Sequence, residues 1–152
     1  MAGLVEERRG AICILTIDRP SRANALDAAT SAALDEAITR AEADEAIGAV
    51  LLCGAGDRAF CSGMDMKEAA QAVAGGFEIV LACDMVFAAP HAIFGLSEVK
   101  RGLFAYAGGI QRLARQLPRA TGLAMILTGE PLSAERMHQL GLVTQIFPSD
   151  AL

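Results

Sequence analysis

Hydrophobic and polar positions alternate most clearly near the start of the chain. The isoleucine-rich stretch 11–18 predicts a β-strand that ends at Arg19-Pro20, since the residue before proline is pushed out of helical geometry. Residues 21–26 then predict a turn with an exposed polar tip. Asp27 suits the cap of a helix over 27–43, with Ala33, Leu34, Ala37, Ile38 and Ala41 on one stripe. The unbroken apolar run 47–53 has strand length and predicts burial on both faces. Gly54 and Gly56 end it, 57–63 form a loop, and 64–73 turn helical.

The second half alternates the same elements. Gly75-Gly76 punctuates the chain before a helical apolar pattern at 77–82. Short strands follow at 85–89 and 92–94, then a glycine-bearing turn at 102–109. Helices are predicted over 110–117, over 119–128 after Pro118, and over 133–140 with Ser133 as N-cap. Gly141 suits the stop of that last helix, and a strand occupies 142–147. Helices interleaved with short strands define an α/β class, and 152 residues without repeats suit one domain over 1–152.

Composition narrows the function. The chain is 53% hydrophobic and 20% charged, with a net charge of −5, so it has no basic field to gather a nucleic acid. Glu78, Asp84 and His91 cut the apolar stretches well short of the roughly 20 residues that span a bilayer, so no membrane partner is expected. Residues 1–10 carry Glu6, Glu7, Arg8 and Arg9 and do not resemble a secretory signal. Cys13, Cys53, Cys61 and Cys83 form neither a CxxC pair nor a disulfide framework. These features point to a cytoplasmic protein, and the apolar excess in so small a chain points to self-association.

Three short segments carry candidate chemistry: 59–65 around Gly63, 74–78 around Gly75-Gly76, and 95–99 around Glu98. Glycine lets a backbone N–H approach a ligand closely, and two such donors aimed at one oxygen make an oxyanion hole. Glu78 interrupts an apolar stretch, where a carboxylate is costly unless paired, solvated or working. Taken alone, Glu78 is more simply a buried ion pair with Arg112 or Lys100, and Glu98 a solvated loop residue. Taken with the two glycine sites, the pair reads as acid–base groups dividing their roles. His91 and His138 lack partners at metal or triad spacing, and no metal site is expected. Asn24 reads as a turn residue, and Gly108 and Gly109 as backbone devices.

These segments, in order, resemble the enoyl-CoA hydratase/isomerase family, the crotonases. The matching pieces are Arg19-Pro20 with Asn24-Ala25-Leu26-Asp27, Ala59-Phe60-Cys61-Ser62-Gly63-Met64-Asp65, and Gly75-Gly76-Phe77-Glu78 with Ala82-Cys83-Asp84. They continue through Phe94-Gly95-Leu96-Ser97-Glu98-Val99, Gly108-Gly109-Ile110-Gln111-Arg112-Leu113 and Gly141-Leu142-Val143. The resemblance implies a crotonase-like spiral of ββα units and a hydro-lyase that adds water reversibly to a 2-enoyl-CoA thioester. Other acyl-CoA isomerases or dehydratases, or a non-catalytic acyl-CoA-binding relative, stay open. Implied roles are catalysis for Glu78 and Glu98, and backbone oxyanion donation for Met64 and Gly75. Arg22, Ala23, Ala25, Asp65, Met66 and Lys67 are implied to line the substrate and coenzyme A. Coenzyme A enters as part of the substrate, with no separate cofactor, and the family implies a homotrimer or a hexamer built as a dimer of trimers.

The chain departs from that family in two places. Between Asp65 and Gly75 there is no room for the strand that should deliver Gly75, because a parallel crossover takes roughly a dozen residues besides the strand itself. A segment between about Gln71 and Ala72 is therefore expected to be missing, whether deleted or left out of the recorded chain. The helices expected after 142–147 are missing too, so the core domain reads as incomplete.

Overall fold

The isoleucine-rich stretch forms the middle strand of a three-stranded sheet. The computed structural model describes residues 3–63 and 75–148. The helix predicted over 64–73 lies outside the described residues. Contacts gather in two compact units, Met1–Ala72 and Val73–Leu152.

In the first unit, β1 (Leu4–Arg9) pairs antiparallel with β2 (Ile12–Ile17), and β2 pairs parallel with β3 (Ala49–Gly54). Helix α1 (Ala28–Ala43) makes the crossover from β2 to β3. Cys13, Leu15 and Ile17 alternate along β2 on one face and are buried, as are Leu34, Ala37 and Ala41 of α1, which packs on the sheet. A buried Leu or Ile side chain is worth about 1.5–3 kcal/mol, and a one-residue slip would expose the whole set. The Asp27 cap forms as predicted: its Oδ1 accepts the Thr30 amide at 2.7 Å.

Two expectations are corrected here. Strand β1 was not expected, because LVEERR carries only two apolar residues and five of its six positions are exposed; pairing with β2 holds it in the ladder. The apolar run of β3 is not buried on both faces: Ala49, Val50 and Leu51 are exposed. Among the described residues no strand lies beyond it in the sheet. The turn at 21–26 does carry exposed polar residues, Ser21 and Arg22, while Asn24, Ala25 and Leu26 behind them are buried.

The second unit runs α2 (Gly76–Val80), β4 (Phe87–Ala88), β5 (Ile93–Phe94), a 3-10 turn at Glu98–Arg101, α3 (Gly109–Gln116), α4 (Arg119–Thr128), β6 (Leu132–Ser133), α5 (Ala134–Gln139) and β7 (Gln145–Ile146). Strand β4 pairs parallel with β7, and β5 antiparallel with β6. Phe77, Leu81, Phe94, Leu113, Met125 and Met137 anchor one core, with Phe77 set edge-on to Phe94 at 5.6 Å between ring centres. Helices α3 to α5 fall within a residue of their predicted ends. Ser133 caps α5 by accepting the Arg136 amide. The strand predicted over 142–147 shrinks to Gln145–Ile146, because Gly141 turns the chain at φ 84 and Val143 is committed to the core. Among the described residues no helix is long and apolar enough to cross a membrane.

Candidate active site

Both candidate carboxylates lie in the second unit and converge on Gly75. Glu78 is the third residue of α2, whose N-cap is Gly75. From there its side chain reaches back one turn, so that Oε2 accepts the Gly75 N–H at 2.9 Å. Its Oε1 accepts the N–H of Gly109, the first residue of α3, at 2.8 Å. Only 3% of Glu78 is exposed, and two hydrogen bonds to a carboxylate, about 1.5–3 kcal/mol each, offset much of its burial.

Glu98 opens the 3-10 turn and is 8% exposed. Its Oε1 lies 2.9 Å from the point where a β-carbon on Gly75 would stand, so the absence of a side chain there admits the second carboxylate. Among the described residues its Oε2 is buried with no hydrogen-bond partner. An unsatisfied buried oxygen costs about 1–3 kcal/mol, which singles this atom out within the unit.

The buried ion pair weighed for Glu78 does not form. Lys100 pairs instead with Glu130 at the surface, Nζ to Oε1 at 2.9 Å, and Arg112 donates to the Ala107 carbonyl. The Gly75 amide, expected as an oxyanion donor, is engaged by Glu78; a ligand oxygen would have to displace that carboxylate to reach it. Met64, Asp65, Met66 and Lys67 lie outside the described residues.

Arg22, Ala23 and Ala25 sit on the first unit's loop after β2. Arg22 is exposed at the end of the 3-10 turn Pro20–Arg22, where a guanidinium can meet a phosphate. Ala23 and Asn24 are left-handed, at φ 49 and 55. Ala25 is buried and its carbonyl accepts the Arg19 guanidinium, leaving it little to offer a ligand. The Ala23 carbonyl accepts the Ser62 amide at 3.0 Å, and the Gly63 carbonyl accepts the Leu26 amide at 2.8 Å. These bonds tie the loop to the residues immediately before Met64.

Two residues given only backbone roles do more. Asn24 accepts the Arg19 amide at 2.9 Å and donates to the Ala55 and Ala59 carbonyls at 2.9 and 2.7 Å, stapling two loops together. Gly109 donates to Glu78. The signal for the second was the glycine pair ahead of an amphipathic helix. Burial pushes all four cysteine thiols up from their ordinary value, which keeps them protonated and unreactive. Among the described residues no group of three or more His, Cys, Asp or Glu could hold a metal ion.

Residues 7–73 and 69–152 each match the family model described as enoyl-CoA hydratase/isomerase. The (E)-benzylidenesuccinyl-CoA hydratase of Thauera aromatica is 34% identical over 174 residues, covering 93% of this chain and 68% of that protein. That alignment is longer than the whole 152-residue chain, so the relative carries residues with no counterpart here. The two family matches overlap at 69–73. The solved structure of an enoyl-CoA hydratase from Mycobacterium tuberculosis H37Rv superposes with a TM-score of 0.92 at 34% identity, over 98% of this chain and 70% of that one. EchA1_1 from Mycobacterium paratuberculosis gives 0.94 at 38% identity, over 99% and 71%.

Proposed function

The chain belongs to the enoyl-CoA hydratase/isomerase family, and on that premise we propose that it is a hydro-lyase adding water reversibly to a 2-enoyl-CoA thioester. One observation supports the reading above the rest. Two buried carboxylates flank Gly75, and among the described residues Glu98 Oε2 is buried without a hydrogen-bond partner.

In this scheme the thioester carbonyl takes the Gly75 amide, displacing Glu78 Oε2 from it. The freed carboxylate accepts a proton from a water held between it and Glu98. The water oxygen bonds to the β-carbon while the π electrons move onto the thioester oxygen as an enolate. The proton taken from water passes from Glu78 to Glu98, which relays it to the α-carbon as the enolate collapses, and both carboxylates return to their starting state. Acid–base groups of this kind contribute about 10²–10⁴-fold in rate, and an oxyanion donor about 10²–10³-fold. No cofactor enters: coenzyme A is carried by the substrate, and the exposed guanidinium of Arg22 is proposed as a contact for its phosphates.

A homotrimer or dimer of trimers in the cytoplasm fits the same reading. The support for self-association is the exposure of Ile93, Phe104 and Leu127 at 72, 65 and 69%. The engaged Gly75 amide favours a second reading, in which the chain binds acyl-CoA without turnover; isomerase or dehydratase chemistry is a variant of the first. Crotonyl-CoA separates them. Loss of the conjugated thioester absorbance on adding the full chain is the expected result, whereas saturable binding with no absorbance change would leave only the second reading.

A further inference from the structure

Glu78 is anchored by two amides that play unequal parts. On the proposed mechanism the Gly75 amide passes to the thioester oxygen, so one main-chain bond is left to hold the carboxylate through the reaction. That bond comes from Gly109. We propose that Gly109 is a positioning residue for Glu78: its N–H fixes Oε1, and its missing side chain is the space that the carboxylate occupies. The inference rests on the hydration reading for its catalytic meaning, and on geometry alone for the placement.

The geometry is tight. A β-carbon on Gly109 would stand 2.7 Å from Glu78 Oε1 and 2.9 Å from its Cγ, closer than carbon and oxygen approach without bonding. Both partners are buried, so the carboxylate cannot shift outward into water. Gly108 turns the chain into α3 at φ 99, a conformation that favours glycine, and so aims the first amide of the helix at Glu78. The amide also adds the positive end of an eight-residue helix to the same oxygen, which suits an ionised carboxylate. Any side chain at 109 therefore moves Glu78, and a displacement near 1 Å at a reacting group costs about a hundredfold in rate.

The test is Gly109→Ala in the full chain, with glutamate δ-carbons labelled by ¹³C and the signals of 78 and 98 assigned through Glu78→Gln and Glu98→Gln. The expected result is a displaced Glu78 carboxyl signal, an unmoved Glu98 signal, and kcat toward crotonyl-CoA down about a hundredfold with KM within about twofold. An unmoved Glu78 signal, or an unchanged kcat in a folded variant, overturns the proposal. Should wild type prove inactive, the hydration reading falls and the carboxyl signal alone decides where Glu78 is held. Should Gly109→Ala fail to fold, Gly109→Ala with Glu78→Ala decides: recovery of folding supports the clash, and continued unfolding overturns it.

Discussion

Among the described residues four polar side chains are buried, two in each unit, and they are treated differently. In the first unit Asn24 uses its oxygen and its amide nitrogen on Arg19, Ala55 and Ala59. Thr30 likewise accepts the Gly3 amide and gives its own to Asp27. In the second unit Glu78 is held at both oxygens, but Glu98 Oε2 has no partner. A buried polar group whose capacity the main chain exhausts serves the fold. One left partly unsatisfied beside a second carboxylate is a place for chemistry. Burial alone separates none of the four; hydrogen-bond accounting does.

The largest expected effect breaks the comparison on the chemical side. Glu98→Gln and Glu78→Gln each lower crotonyl-CoA hydration about 10²–10⁴-fold while far-ultraviolet circular dichroism stays that of wild type. On the structural side, Asn24→Ala strands the Arg19 amide and two carbonyls and lowers stability by about 3 kcal/mol, read as a lower urea midpoint. It should also raise KM more than it lowers kcat, since the loop it staples carries Arg22. Asp27→Ala removes the α1 cap and the Arg19 ion pair, 2.8 Å from Nη2 to Oδ2, at about 1 kcal/mol. The hydroxyl and amide of Thr30 hold the Asp27 carboxyl below its ordinary value of 3.8. Its contribution is thus present above about pH 4 and lost as pH falls through the lowered folded value, so wild type and variant converge in acid unfolding. Smallest is Lys100→Ala, which breaks the exposed pair with Glu130 and should change stability by less than about 1 kcal/mol.

What could be read ahead of the coordinates follows the reach of each interaction. The caps at Asp27 and Ser133 and helices α1, α3, α4 and α5 depend on residues a few positions apart, and all were legible. Strand β1 was not, because a polar edge strand is held by ladder pairing rather than by its own apolar face. Strand β3 misled for the opposite reason: an apolar run is a promise of burial that only neighbouring strands can keep. Glu78 and Glu98 could be named from their apolar surroundings, but not their partners. The Gly109 amide lies 31 positions from Glu78, a contact with no local signature. The expectation of a missing strand before Gly75 rests on length alone and falls on residues outside those described; the two family matches overlap at 69–73.

The account centres on two carboxylates acting as one unit, and the double variant addresses that most directly. Crotonyl-CoA hydration is compared for wild type, Glu78→Gln, Glu98→Gln and the pair together. Groups that share one water are grossly non-additive, so the double variant is predicted to be about as slow as the slower single. Losses that multiply independently, or a single variant retaining full activity, would contradict it.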